Sequence, residues 1–593
     1  MDNGVEGRWS LNASIGTNIR AKDADTTLIM PGNGGTGGTT ATPSTGHGAQ
    51  DDGNLNFQKG DAFSTIAKLI GEVDLKKDNF GLFVRAKAWH DYQAASKGVP
   101  HGSSANGYTP GAELNDSSFD SLSKFSGVAL LDAYVSMNTF VGNDKPLTVK
   151  VGNQVVNWGE SLFISGINQF NAFDISAARK PGTQIKEILL PIPQISFNLG
   201  VAENTSLEAF YQFDWKKNVL DGCGTYWGIV NTYNCSDSAA VVAAGPFQSQ
   251  SNAKNFAGSG LALPNGATNA VMSNGGTIDG KDSGQWGLAG RYFSPELSTE
   301  FGAYYVNYNQ RSPILSILFN GSTTPGSLYG IGTNRINYAW DYSAKDIQVF
   351  GLSMSTNLSG WSVFGEASHT KDVPVQINGP DLLLGAVGGA PGTPNGLGPL
   401  GYLKQTSRNQ NILFHGYGLL DKNQIQMSTI KSFPNILAAE SLGFVGEIAY
   451  QKWSGIGDPS SSVRYGRGFV YGQANSSAAT PAPCSSTAQG TNCEVDGFAT
   501  KNAWGYRAQL ELSYPNLFAG VNVKPRVFYS HDVKGYSADN TFVEDRKALG
   551  LATRFDYLGK YYAEISLNRF NRSAKYDVFR DRDFYSAVVG MNF

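Results

Sequence analysis

Residues 504–512 read Trp-Gly-Tyr-Arg-Ala-Gln-Leu-Glu-Leu. Trp504, Tyr506, Ala508, Leu510 and Leu512 share one side of an extended chain, and Arg507, Gln509 and Glu511 share the other. A period of two is the mark of a strand with one apolar and one polar face. The same alternation opens the chain, with Trp9, Leu11, Ala13 and Ile15 against Ser10, Asn12 and Ser14. It returns at Leu207–Trp215 and at Val521–Tyr529. These runs are longer than the ~5–6 residues of a typical soluble strand and suit the ~9–11 needed to cross a bilayer at a tilt.

Reading outward from these runs, the alternation predicts strands over 7–20, 62–75, 80–91, 128–141, 147–156, 188–201, 205–216, 284–293 and 299–309. It continues over 346–356, 361–370, 423–433, 441–453, 502–514, 520–531, 545–556, 561–571 and 583–593. That makes about 18 strands, with 16 as the other even count. Short connectors (76–79, 202–204, 357–360, 557–560) alternate with long ones, which include 217–283, 370–422 and 454–501. Short, long, short, long is the order of an outer-membrane barrel with periplasmic turns and extracellular loops. The expected fold is therefore an all-β transmembrane antiparallel barrel, with residues 1–593 as one domain. Pro525 falls inside a strand, where a closed wall has no free edge, and is expected to mark a bulge.

Composition agrees. The 593 residues are 16% charged and 12% aromatic, against ~25% charged in an average soluble domain. No apolar run approaches the ~18 residues of a membrane helix. A net charge of −3 gives no basic footprint for nucleic acid. Met1 is followed by Asp2-Asn3-Gly4 with no apolar segment, so export to the bacterial outer membrane implies a mature form with Met1 as an added start. Trp215, Trp504, Tyr514, Tyr529, Tyr561 and Tyr585 are expected at interfacial girdles. The last strand alternates through Tyr585 and ends at Phe593. That ending resembles the C-terminal signal read by the outer-membrane barrel-assembly machinery. The expected surroundings are outer-membrane lipids and lipopolysaccharide, with bound lipid or detergent possible.

The polar faces supply a lumen. Arg85 and Lys87 come from early strands, and Arg507, Lys524, Arg526 and Arg554 from late ones. Glu208, Asp214, Glu300, Glu366 and Glu447 come from the middle. Closure of first on last strand then predicts a basic wall facing an acidic one, an arrangement that sets selectivity in pores. Phe83, Trp89, Tyr134 and Phe210 fall on the same inward face and favour amphipathic or apolar cargo.

The four cysteines fall as Cys223/Cys235 and Cys484/Cys493, each pair within one long loop. In an oxidising compartment this reads as two loop disulfides; the spacings do not suit zinc. Gln50-Asp51-Asp52-Gly53-Asn54 is a weak Ca²⁺ candidate without an EF-hand pattern, and a solvated polar turn is its simpler reading. The apolar runs Leu382–Val387 and Leu397–Leu403 in the loop 370–422 should fold over or into the mouth, or pack as a hairpin at its rim. No HExxH, GxSxG or phosphate loop is present, so an enzyme is not expected.

Val149–Glu187 reads VKVGNQVVNWGESLFISGINQFNAFDISAARKPGTQIKE, and 205–227 reads TSLEAFYQFDWKKNVLDGCGTYW. These segments resemble the DUF1302 family of proteobacterial outer-membrane proteins, closely over 149–227 and loosely elsewhere. The family often continues with Asn-Pro-Asp where this chain has Asn171-Ala172-Phe173-Asp174, a departure confined to one local turn. The resemblance implies movement of lipids or other hydrophobic molecules across the envelope, alongside a LolB-like periplasmic protein and an RND-type inner-membrane transporter. A general or substrate-specific porin is the alternative, and a structural or adhesive barrel the second. From the residues themselves, 157–187 is long enough to fold inward as a constriction. Gly159 permits a sharp turn between Trp158 and Glu160-Ser161. Glu160, Arg179, Lys180 and Glu187 could pair with lumen charges and hold such a plug.

Overall fold

A computed structural model describes residues 4–29, 51–142, 144–228, 230–235, 240–241, 271–319, 336–379, 381–382, 412–459, 462–471 and 496–593. Eighteen strands form one antiparallel sheet that closes on itself. In chain order they are β1 (Glu6–Arg20), β2 (Ala62–Lys77), β3 (Phe80–Asp91), β4 (Ser126–Val141), β5 (Lys145–Gln154) and β6 (Ile192–Ala202). Next come β7 (Thr205–Gln212), β8 (Trp286–Ser294), β9 (Thr299–Tyr308), β10 (Ile347–Leu358), β11 (Trp361–Gln376) and β12 (Tyr417–Pro434). The last are β13 (Ser441–Trp453), β14 (Asn502–Phe518), β15 (Val521–Lys534), β16 (Lys547–Tyr557), β17 (Tyr561–Phe570) and β18 (Phe584–Asn592). Each pairs with the next, and β1 closes on β18 from Asn12↔Asn592 to Arg20↔Phe584. Closure satisfies every wall edge, which hydrocarbon requires of a spanning sheet.

Alternate side chains face outward. Leu69, Leu130, Leu207, Leu352, Ile425, Leu551 and Val589 are all exposed, and form the apolar band that a bilayer covers. Tyr561, Tyr585 and Phe593 are exposed on the same face. Trp215 departs from its expected place. Strand β7 ends at Gln212, and the Trp215 indole turns into the loops, donating to the Gln310 carbonyl at 2.9 Å and packing on Tyr342.

One rim is made of tight turns. At Ser359-Gly360 and Ala519-Gly520 both residues take positive φ, the twist that joins antiparallel strands in two residues. The other rim carries the long loops, and these contain structure that the alternation does not announce. Five short strands, including Val271–Ile278, Ile314–Phe319, Ile336–Asp341 and Ile412–Phe414, build a second sheet over the mouth. Its core includes Ile317, Phe319, Tyr338, Tyr342 and Leu382. A second cap core joins Phe57, Phe63, Leu114, Phe119 and Trp227 around the disulfide Cys223–Cys235, whose Cα atoms are 5.6 Å apart. Leu382 is thus part of the cap; residues 383–411, and Cys484 and Cys493, lie outside the described residues. Asp51, Asp52 and Asn54 are buried, with Asp52–Asn56 helical. This corrects the solvated-turn reading. Tyr108 donates to Asp52 and Asn231 to Asp51, each at 3.3 Å, and His101 Nε2 lies 3.8 Å from Asp52. Among the described residues no cluster of three or more His, Cys, Asp or Glu is arranged for a metal.

Candidate functional site: the plugged lumen

The chain leaves β5 at Gln154 and returns to the wall at Ile192. Between them residues 155–191 fold into the lumen as short helical turns, Ile167–Phe170, Ile175–Ala178 and Ile185–Ile188. Such a segment has few internal hydrogen bonds, so its backbone donors need partners. The wall provides them. Glu366 on β11 accepts from the Glu160 N–H at 2.8 Å and the Ile167 N–H at 2.5 Å. Glu447 on β13 accepts from the N–H groups of Leu162, Phe163 and Ile164 at 2.7, 3.0 and 2.5 Å. Both carboxylates are almost fully buried. Charged acceptors on neutral donors make strong hydrogen bonds, and five such bonds fix the rim of the plug against two strands.

The Trp158-Gly159-Glu160-Ser161 motif has a physical reason here. Trp158 is buried, donates Nε1–H to Glu208 at 2.8 Å, and packs with Phe170 on Phe210 and Tyr304. Gly159 has φ +89°, and a Cβ there would strike the Glu366 carboxylate. Gly166 meets the same carboxylate from the other side. Two glycines let one glutamate reach the backbone on both flanks of the turn. Ser161 is half-buried beside them.

The rest of the plug is held by charge. Lys68 meets Glu187 at 3.1 Å, Lys87 meets Asp174 at 3.0 Å, and Lys180 meets Asp91 at 2.8 Å. Lys186 reaches Glu72 at 2.6 Å. Glu160 faces Arg291 at 3.7 Å. Arg179 turns upward instead, to Asp221 of the cap at 2.7 Å. Burial opposes the charge on Lys180, but Asp91 overrides it and holds the ammonium above the usual lysine range. Burial pushes the Glu160 and Asp174 carboxyls up, only partly offset by Arg291 and Lys87. Arg311 ties plug to cap, donating to the Phe170 and Lys216 carbonyls and to the Gln212 and Gln285 side chains at 2.7–3.0 Å. Burial lowers its guanidinium to about 10.

The expectation of two walls of opposite sign needs correction. Arg85 lies between Glu72 and Asp132 at 2.8 and 2.6 Å. Arg291, absent from the sequence reading, sits amid the acidic residues and binds Glu208 and Glu300 at 3.0 and 2.9 Å. Arg507 pairs with Asp532. Lys524, Arg526 and Arg554 face Asp556, Glu511 and Glu564. Like charges are costly in a narrow interior, so each wall carries its own counter-ions. Asp214 lies just past β7, in the loops rather than on the wall.

The plug does not fill the lumen evenly. Against β7–β10 it is packed dry by Trp158, Ile167 and Phe170 on Phe210, Val306 and Val349. Against β16–β18 the inward Gly550, Ala552, Ser566 and Ser586 are small and none of these four is buried, whereas the inward Val588 is buried beside Gly182 of the plug. The plug's own Leu162 and Phe163 remain 39% and 38% exposed. Phe163 touches the wall through Phe528, ring centroids 5.6 Å apart.

Among solved structures, the chain is similar to OccAB1 of Acinetobacter baumannii at 10% identity and TM-score 0.37, covering 99% of this chain and 96% of that one. Pseudomonas aeruginosa OccK2 (OpdF), solved in complex with glucuronate, matches at 9% identity and TM-score 0.37 over 99% and 97% of the two chains. The outer membrane protein opdK of the same organism matches at 8% and 0.34 over 99% and 98%. No curated protein matches. The model of a family described as protein of unknown function (DUF1302) matches residues 1–593, and the chain belongs to that family.

Proposed function

We propose that the protein is an outer-membrane channel for hydrophobic or amphipathic molecules, gated or narrowed by the plug at 155–191. The observation that carries the reading is the uneven fit of that plug. An apolar pair, Leu162 and Phe163, stays exposed beside a strip of small inward side chains. Exposed apolar surface inside a lumen otherwise lined by paired charges suits a cargo with an apolar part. The channel acts without catalysis, and no cofactor is called for. Within the DUF1302 reading, a LolB-like periplasmic carrier and an RND-type transporter are the partners that would hand over or collect such cargo. Phe593 at the end of β18 is the proposed contact for barrel assembly.

A second reading, a porin for small polar solutes, draws on Lys524, Arg526 and Arg554, whose side chains are 34–39% exposed with counter-ions at 2.9–3.7 Å. Proteoliposomes separate the two. The conduit reading expects transfer of a long-chain fatty acid with a fluorescent tail above protein-free vesicles, and little uptake of a polar sugar acid. Uptake of the sugar acid alone would establish the porin.

A further inference from the structure

We propose that the wall between β14 and β15 is a lateral exit, through which the hydrocarbon chain of the cargo passes between lumen and membrane. The inference rests on the conduit reading above. It starts from Pro525. The β14–β15 ladder runs from Gly505↔Asp532 to Glu511↔Arg526, then resumes at Tyr514↔Val523. Two consecutive pairs, Leu512/Pro525 and Ser513/Lys524, drop out. A proline has no N–H, so the Leu512 carbonyl has no ladder donor there. On its other side β15 pairs with β16 without interruption, through Pro525↔Thr553. Below the gap the register slips before Phe518↔Val521, and at the other end of the ladder it slips between Trp504↔Lys534 and Gly505↔Asp532. Among the described wall pairings, only this one has two irregularities. The expected bulge is therefore at Tyr514–Phe518, and Pro525 itself stays in register with a hydrogen bond missing.

The gap opens onto a groove. On the membrane face a cavity of 710 Å³ crosses the wall from β1 to β14. Its upper edge is one cross-strand row, Ile19, Tyr585, Leu567, Leu551, Val527 and Leu510. Its lower edge is the next outward row, Thr17, Ala587, Ile565, Thr553, Pro525 and Leu512, of which Thr17, Ala587, Thr553 and Pro525 are small. Five strand spacings make it roughly 24 Å long. A long apolar trough on the membrane face suits the hydrocarbon chain of a lipid-like cargo. On the lumen face, Lys524 and Arg526 flank Pro525, with Arg526 paired to Glu511 and Glu564, and the next inward row carries Phe528 and Gly550, with Phe163 of the plug against Phe528. A missing wall hydrogen bond and an outer apolar trough thus coincide, one inward row below the apolar contact of Phe163 with Phe528. A cargo held at Leu162 and Phe163 has one strand wall to cross, and its tail need not pass the polar headgroups.

The test uses the full chain in proteoliposomes and the tail-fluorescent fatty acid as probe. Leu512→Cys with Pro525→Cys places two thiols on directly opposed residues, whose Cα separation of about 5.5 Å in a ladder suits a disulfide. The oxidised pair is expected to cut probe transfer at least severalfold, with recovery on reduction; the wild type under the same reductant controls for Cys223–Cys235. Pro525→Val, which restores the donor, is expected to slow transfer in the same direction. Single-channel KCl conductance should not change in either variant, which also shows that both fold. Undiminished transfer by the oxidised pair at unchanged conductance overturns the lateral exit and leaves the conduit standing. Failure of the wild type to transfer the probe above protein-free vesicles overturns the conduit reading itself.

Discussion

The plug meets two sides of one barrel in opposite ways. On β11 and β13, Glu366 and Glu447 are 4% and 3% exposed and take five backbone N–H groups. On β15 and β16, Lys524, Arg526 and Arg554 stand 34–39% exposed with counter-ions at 2.9–3.7 Å. The strands on both sides carry inward charges at alternate positions, so the difference lies in what covers the inward side chains. Where the plug lies on the wall, large apolar residues and buried carboxylates are affordable. Where it does not, the inward positions are small or solvated.

The largest effect should come from breaking the clamp. Glu366→Ala with Glu447→Ala leaves five plug donors without acceptors, at about 1–3 kcal/mol each for those that stay buried. We expect the plug to leave β11 and β13, single-channel conductance to rise severalfold, and the barrel itself to remain folded. Unchanged conductance would show that the charge pairs suffice to hold the plug. Ala552→Trp sharpens the contrast from the other side. It should lower conductance by filling the open strip, whereas the same electrical measurement on Val349→Ala, on the packed side, should show little change.

Gly159→Ala comes next. The residue has positive φ and faces the Glu366 carboxylate, so a methyl both strains the turn and displaces an acceptor. A loss of roughly 1–3 kcal/mol is expected in the local stability of the plug, read by hydrogen exchange of 155–170 against an unaltered wall. Smallest is a pH effect in the cap. Asp341 accepts from His415 at 2.7 Å. This hydrogen bond raises the His415 pKa above its usual 6.5. Burial pulls Asp341 up, but His415 and Ser343 hold it lower than 3.8 overall. The pair therefore contributes fully between those two values. Its contribution fades below pH 3.8 as the carboxylate protonates, and above 6.5 as the raised histidine loses its proton. Cap protection in hydrogen exchange should fall across both edges in the wild type and be flatter in His415→Gln.

The wall was legible because lipid on one face and a polar interior on the other force a period of two along every strand. Strand β9 shows where that rule weakens. Its inward Tyr304, Val306 and Tyr308 are as apolar as its outward face, because the plug covers them. That two-sided apolar run was the available signal for the packed side. Glu366 and Glu447 were placed in the lumen by parity alone. Their use as backbone acceptors was hidden, since it depends on a turn arriving from some 200 residues or more away in sequence. Arg291 and the cap sheet were missed for a related reason. A single inward arginine, or a six-residue strand such as Ile314–Phe319, gives no periodic signature of its own.

The β1–β18 junction has a consequence for how the molecule is made. Asn12 and Asn592, hydrogen bonded at 2.7 Å, are separated by 580 positions. Hairpins along the wall are local and can zip in sequence, but this last ladder carries the greatest loop-closure entropy of the whole sheet. Until the C-terminal strand arrives, both ends of a long apolar sheet are open edges, which are templates for aggregation. The nascent chain therefore needs something to shield those edges until Phe593 meets Leu11, and the rate of that final meeting sets how long the shield must hold.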